Sequence, residues 1–190
     1  MIQETSALLE GDILAVHRVL RWYDPRTWFA ARIRRVSTSY WNHVGILHLS
    51  RADGIWHVVE AVVGGGVVST PLVWYKYRPS EYHLAVFRAD LKFSERAEVA
   101  GWAMRQVGRP YDLAKIVAIR VLQLLPDWIL APEAIPGIVT NTSGNALICS
   151  QLVIEAYRKV GLSLAGDYAG PGDVVRNPTL RRVASCGLGL

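Results

Sequence analysis

The chain has 190 residues, of which 51% are hydrophobic, with seven tryptophans and a net charge of +5. This length and composition predict one globular domain, residues 1–190, with a sizeable core, and they exclude a disordered chain. Two cysteines exclude a disulfide framework, and no nucleic-acid-binding motif accompanies the positive charge, so we predict no nucleic-acid partner.

The first half of the chain is dominated by strand patterns. A Gly11-Asp12 turn precedes the first strand, and Asp24-Pro25 is typical of a helix start, which predicts a short helix over 26–36. Asp53-Gly54 is a hairpin turn signal between two apolar runs. The predicted strands are residues 13–16, 43–49, 55–63, 67–68 and 84–88.

The second half is dominated by helix patterns. Ser94 is a predicted N-cap, Asp112 is another, and glycines follow the periodic segments. The predicted helices are residues 94–107, a helix from Asp112 that Pro126 limits, and residues 146–160. Strands followed by helices, without βαβ alternation, predict an α+β fold with helices on an antiparallel sheet. Glycines near the end predict a flexible tail over 184–190.

Two segments allow more than one interpretation. Residues 113–139 are apolar, but charged residues and prolines interrupt them, so we expect no spanning helix. They form either a core helix with a packed loop, or an insertion over about 113–145 that acts as a lid, apolar groove or interfacial segment. Arg32, Arg34 and Arg35 form either a solvated helix face or a site that attracts an anionic polymer or membrane.

Cys149 and His43 together are typical of a nucleophile and its base. Cys149 stands at the start of a predicted helix, whose partial positive charge favours thiolate over thiol. His43 stands on a predicted strand and can take the thiol proton. Alone, each residue is more often structural, and other histidines compete for the role. No HExxH or CxxC spacing is present, so we predict no metal site.

The third member of such a site is either Glu60 or His57. Side chains alternate along a strand, and a two-residue turn at Asp53-Gly54 would pair position 43 with position 64. Glu60 then shares the face of His43 but lies too far along the strand, so a longer loop or a bulge must shift the register. A one-residue slip would favour His57 instead. We prefer Glu60, because a carboxylate stabilises the cationic imidazole.

An ordered set of motifs over roughly residues 10–180 resembles the circularly permuted branch of the NlpC/p60-type papain-like cysteine hydrolases. The motifs are Gly11-Asp12, Asn42-His43-Val44-Gly45, Glu60-Ala61, Gly108-Arg109-Pro110-Tyr111-Asp112, Ile148-Cys149-Ser150-Gln151 and Pro171-Gly172-Asp173. The resemblance implies a papain-like core with the nucleophile at a helix N-terminus and the base on a small antiparallel sheet. It assigns Cys149 as nucleophile, His43 as general base and Glu60 as the polar third residue.

The resemblance also implies a cysteine peptidase or amidase without a cofactor, acting on bacterial peptidoglycan stem peptides. The motif residues Tyr111, Asp112 and Asn42 are predicted to bind substrate, and the Cys149 N–H to stabilise the oxyanion. The alternatives are a lipid-directed acyl hydrolase or acyltransferase on the same fold, and a binding module without activity.

The chain start has no basic region followed by an apolar run, so we expect no secretory signal. We therefore expect synthesis in the cytoplasm and a specialised route to the periplasm or cell wall. This interpretation leaves room for contact with a membrane surface and for an immunity or delivery protein. We expect a monomer.

Overall fold

The computed structural model describes residues 8–19, 39–112, 147–167 and 169–186. The strands are β1 (Ile13–Arg18), β2 (His43–Leu49), β3 (Trp56–Val62), β4 (Gly66–Pro71), β5 (Tyr82–Ala89) and β6 (Leu180–Cys186). The helices are α1 (Leu72–Lys76), α2 (Phe93–Arg105), α3 (Cys149–Arg158) and α4 (Pro171–Val175). The predicted helix 26–36, the helix predicted from Asp112 and residues 113–145 lie outside the described residues, apart from Asp112 itself.

The strands form one antiparallel sheet in the order β4-β3-β2-β1-β5-β6, which confirms the predicted α+β fold. Strand residues alternate between two buried faces. On one face Ile13, Val44 and Ile46 pack with α3, which also contacts α2. On the other face Leu14 and Leu47 lie in a second cluster that α1 helps to cover. The central strands are therefore apolar on both sides.

A buried carboxylate joins the first strand to α2. Asp12 is fully buried and accepts hydrogen bonds from Arg88 Nε at 2.8 Å and Nη2 at 2.6 Å. Arg96 of α2 adds a third at 3.2 Å. Tyr157 of α3 donates its hydroxyl to the Gly11 carbonyl at 2.5 Å. The Gly11-Asp12 pair thus anchors both long helices to the sheet.

Several predicted boundaries are wrong. α2 begins at Phe93, not Ser94, because the Glu95 carboxylate accepts the Lys92 N–H at 2.7 Å. α3 begins at Cys149, not at 146, since Ile148 has extended backbone (φ −101°, ψ 162°). Residues 184–186, predicted as flexible tail, complete β6 and pair with β5, because the glycines start only at 187. Among the described ranges, no helix combines the length and apolar character that crossing a bilayer requires.

Candidate active site

The β2–β3 hairpin brings His43 to Glu60 through its register. Ile46 pairs with Val59, so the same register sets Gly45 opposite Glu60. The loop is longer than a two-residue turn, since the Ser50 N–H donates to the Ile55 carbonyl at 3.0 Å. The register therefore shifts by two residues from the two-residue-turn prediction, which preserves the face. Glu60 becomes the diagonal neighbour of His43 across the pair.

The contacts separate the two candidates for the third residue. His43 Nε2 lies 2.5 Å from Glu60 Oε2. His57 is engaged elsewhere, with its Nε2 2.9 Å from Asp53 Oδ2 and its Nδ1 3.0 Å from Ser69 Oγ. The structure thus brings Glu60 to His43 and leaves His57 in a separate cluster.

Gly45 leaves the space that this diagonal contact needs. A Cβ at position 45 would lie 2.5 Å from Val58 Cγ1, 2.9 Å from the Val59 carbonyl oxygen and 3.1 Å from Glu60 Cβ. Carbon atoms pack at about 3.5–4.0 Å, so no side chain fits there without movement. The glycine two residues after His43 is therefore a steric requirement of the site.

Glu60 is a buried, multiply bonded carboxylate. Its side chain is 1% exposed, and it accepts the Tyr75 hydroxyl at 2.6 Å as well as the His43 contact. Burial raises the pKa of Glu60, but hydrogen bonds from His43, Thr70 and Tyr75 and the charge of His43 outweigh it, so the pKa is lowered. Burial, followed by the Glu60 charge, raises the pKa of Tyr75 well above 10, so the phenol stays a donor. Sequence reasoning missed Tyr75, because no motif marks its short helix.

His43 lies between the carboxylate and the thiol. Its side chain is 19% exposed, and it hydrogen bonds to Cys149 as well as to Glu60. Because Nε2 faces Glu60, Nδ1 is left for the thiol of Cys149, the first residue of α3. Burial lowers the pKa of His43, but the bonds to Cys149 and Glu60 and their negative charges raise it to about 10. This arrangement favours the cationic form of the His43 imidazole at neutral pH.

Tyr111 lies near Cys149, and Asp112 follows it in the chain. Tyr111 forms a parallel bridge with Leu147, and the Asp112 N–H donates to the Leu147 carbonyl at 3.2 Å. Burial raises the pKa of Tyr111, and the negative charges of Cys149 and Asp112 add to it. Asp112 is buried. The structure thus places Tyr111 near the thiol, while substrate binding by Tyr111 and Asp112 stays a prediction.

The side-chain amide of Asn42 forms hydrogen bonds with the backbone of Arg18. Its Oδ1 accepts the Arg18 N–H at 3.1 Å, and its Nδ2 donates to the Arg18 carbonyl at 3.3 Å. The amide thereby imitates one more pair of the β1–β2 ladder directly before His43. These bonds hold the start of β2 in place, and substrate binding by Asn42 stays a prediction.

The glycine run before β4 allows another part of the chain to approach the site. Gly66 has φ +73°, and a Cβ there would lie 2.3 Å from the Arg109 carbonyl oxygen. That carbonyl accepts the Val67 N–H at 2.8 Å, and the Gly108 N–H donates to the Val67 carbonyl at 2.9 Å. The segment that leads to Tyr111 is therefore attached to the edge of β4, which the glycines at 64–66 alone could not reveal.

The fold is similar to the crystal structure of the "metalloprotein yiiX" from Escherichia coli O157:H7. The TM-score is 0.63 at 20% sequence identity, and the alignment covers 94% of this chain and 98% of that chain. At this identity the likeness shows the fold alone.

The residues of this site do not fit a metal ion. A zinc ion lies about 2 Å from each of its ligand atoms, so two atoms that bind the same ion must stand apart to leave room for it. His43 Nε2 and Glu60 Oε2 are instead in direct contact at 2.5 Å, which leaves no room for an ion between them. The imidazole also separates the thiol from the carboxylate, so the three groups do not converge on one point. Within the described ranges, no group of three or more His, Cys, Asp and Glu side chains could hold a metal.

A family model described as "Permuted papain-like amidase enzyme, YaeF/YiiX, C92 family" matches residues 27–117. This stretch contains His43 and Glu60 and ends before Cys149. No curated protein matches the sequence significantly. The match confirms the permuted papain-like prediction and supports an amidase-type hydrolase, but it does not support the NlpC/p60 branch specifically. Residues 27–117 are therefore similar to the permuted papain-like amidases of the YaeF/YiiX family, and the fold agrees with that of the yiiX structure.

Proposed function

We propose that this protein is a cysteine amidase in which Cys149 is the nucleophile, His43 the general acid and base, and Glu60 the orienting carboxylate. One observation carries the proposal. The His43 imidazole is shared between a thiol at a helix start and a carboxylate that is 1% exposed, and its pKa is raised to about 10. An imidazole held between a thiol and an acid is the arrangement that activates a cysteine nucleophile.

In the first step, the Cys149 thiolate attacks the carbonyl carbon of an amide. The carbonyl π electrons move to oxygen, and the Cys149 backbone N–H at the start of α3 can donate to that oxyanion. When the tetrahedral intermediate collapses, the C–N bond breaks and the His43 imidazolium gives its proton to the leaving nitrogen. The products are a free amine and a thioester on Cys149.

In the second step, water hydrolyses the thioester. Neutral His43 takes a proton from the water as its oxygen attacks the acyl carbon. Collapse expels the thiolate and releases a carboxylic acid, while the proton stays on His43 and restores the ion pair. Glu60 keeps Nε2 as the bonded nitrogen throughout, so Nδ1 always faces the reacting atoms.

For the substrate, we propose a peptide amide in peptidoglycan stem peptides. The support is the amidase description of the matched family and the net charge of +5, which suits an anionic wall polymer. Action on the wall requires delivery to the periplasm. We propose that a specialised route provides it, with an immunity or delivery protein as partner.

The test compares wild type with Cys149→Ala and His43→Ala on purified peptidoglycan and on phospholipid vesicles, with products identified by mass spectrometry. We expect new amine and carboxyl ends in stem peptides from wild type alone. The matched controls are Cys186→Ala, which removes the other cysteine, and His57→Ala, which removes a histidine of the same hairpin. Both controls should keep activity.

Three other outcomes reject parts of the proposal. If fatty acid is released from vesicles while peptidoglycan stays intact, the substrate is a lipid acyl group and not a wall peptide, and the same residues act on it. Equal product from Cys149→Ala rejects the nucleophile. An unchanged biological effect of Cys149→Ala, with no product from any sample, favours a binding module without activity.

A further inference from the structure

Helix α1 has a buried side and a solvent-facing side of unusual composition. Leu72 and Tyr75 are buried against the sheet, where Tyr75 contacts the candidate active site. On the other side, the exposed fractions of Trp74 and Tyr77 are 40% and 82%, and Val73 is also exposed. Exposed aromatic side chains beside an exposed valine form an apolar surface that the described part of the chain leaves in contact with solvent.

Cationic side chains border this surface. The Arg78 guanidinium carbon lies 3.9 Å from the centroid of the Trp74 ring, within cation–π range. Lys76 occupies the last turn of α1 and is half-buried. The acidic residue of the stretch from 72 to 82 is Glu81, so the stretch has more positive than negative charge.

We propose that Val73, Trp74, Lys76, Tyr77 and Arg78, here called the α1 surface, bind the face of an anionic phospholipid bilayer. Tryptophan and tyrosine prefer the headgroup region, since their rings are apolar and their N–H and O–H groups are polar. Lysine and arginine beside them attract anionic headgroups.

The size of the surface favours a bilayer over a protein partner. A stable protein interface needs about 20–30 residues on each side, whereas the α1 surface has five residues on and after one short helix. A bilayer accepts a few anchoring side chains, because it moulds around them and supplies charge over its whole area. The proposal concerns binding and does not depend on the amidase activity.

The experiment is vesicle flotation of the full chain with two compositions, phosphatidylcholine alone and an equimolar mixture with phosphatidylglycerol. We expect wild type to bind the mixed vesicles and to release from them at high salt. Arg78→Ala should weaken binding roughly fivefold, since one basic residue near an anionic surface contributes about that factor. Tyr77→Ser should weaken binding further, because its ring is the most exposed part of the surface.

The matched control is Phe93→Ser, which removes an 88% exposed aromatic ring from the start of α2. It should bind the mixed vesicles as wild type does. Thermal melting of each variant separates lost binding from lost folding. Because Tyr77 and Phe93 are both largely exposed, replacing either one should leave the core intact. The proposal is overturned if wild type does not bind the mixed vesicles, or if Tyr77→Ser binds them as well as Phe93→Ser does.

Discussion

Replacing Glu60 by glutamine tests whether the carboxylate sets the charge on His43. Glutamine keeps the size of the side chain and an oxygen that can accept a hydrogen bond, but it removes the negative charge. That charge stabilises the imidazolium, so its loss must lower the pKa of His43. Glu60→Gln therefore separates an electrostatic role from a merely geometric one.

The size of the change follows from the contacts. The pKa of His43 is raised from 6.5 to about 10 by Cys149 and Glu60 against the effect of burial. An opposite charge within hydrogen-bond distance contributes about 1–3 pKa units, so the variant should titrate between roughly pH 7 and 9. Cys149→Ser should also lower the midpoint, since the bond to Cys149 is the larger of the two that raise it.

The same shift predicts how stability depends on pH. A raised folded-state pKa contributes stability that is complete below pH 6.5 and is lost as pH rises through about 10. In Glu60→Gln this loss should begin and end at lower pH. Urea titrations between pH 6 and 11 measure it.

The assay for His43 is histidine ¹H–¹⁵N correlation spectroscopy across the same pH range. The chain has five histidines, and the signal that His43→Ala removes is that of His43. A midpoint in Glu60→Gln that equals that of folded wild type, or exceeds it, would refute an electrostatic role for Glu60.

Three further substitutions test the supports of the site. Gly45→Ala should lower the free energy of unfolding by about 1–3 kcal/mol, because its Cβ would lie 2.5 Å from Val58 Cγ1; urea midpoints measure this. Asp12→Asn should lower it by about 3–5 kcal/mol, because its arginine partners lose a fully buried carboxylate; the same titration applies. Tyr75→Phe should cost about 1.5–3 kcal/mol, since it deletes a bond to the charged Glu60, and amide hydrolysis by the folded variant should fall.

Each substitution has a control of the same chemistry. Gly101→Ala in α2 should raise the free energy of unfolding by up to about 1 kcal/mol, because alanine favours the helix more than glycine does. Its Cβ fits without a clash, since the nearest atom is the flexible end of Arg105 at 3.5 Å. Glu98→Gln, which breaks an exposed ion pair with Arg105, should cost about 0–1 kcal/mol. Tyr77→Phe should leave activity unchanged. If any control matches its test variant, the explanation for that variant is wrong.

The fold class and the hairpin arms could be predicted from the sequence because they depend on local periodicity. The alternation over 43–49 and 55–63 predicts which side chains share a face of the sheet. A shift of two residues preserves that alternation, so Glu60 stays on the same face as His43. Loop length is a different matter, since Asp53-Gly54 is compatible with both a two-residue turn and the longer connection observed. The two-residue shift therefore could not be obtained from the pattern.

Contacts between distant segments could not be predicted from the sequence for another reason. Tyr75 lies in a five-residue helix, too short to show a helical period, and its bond to Glu60 depends on tertiary packing. Asn42 has the residue type of a substrate ligand, yet its described bonds with Arg18 depend on how β1 pairs with β2. Residue type indicated chemistry at Cys149 and His43, but only the structure shows which partners each polar group contacts.

The bond between Tyr157 and Gly11 has a consequence for how activity arises during synthesis. His43 and Glu60 belong to one hairpin and can meet early, because only a short loop must close between them. The thiol comes much later in the chain, on a helix held to the first strand across 146 positions. With the roles that we propose, a nascent chain carries its base and carboxylate before it has a nucleophile. The proposed amidase would then be inactive until the helix that carries Cys149 has docked, so the onset of its activity would report that the fold is complete.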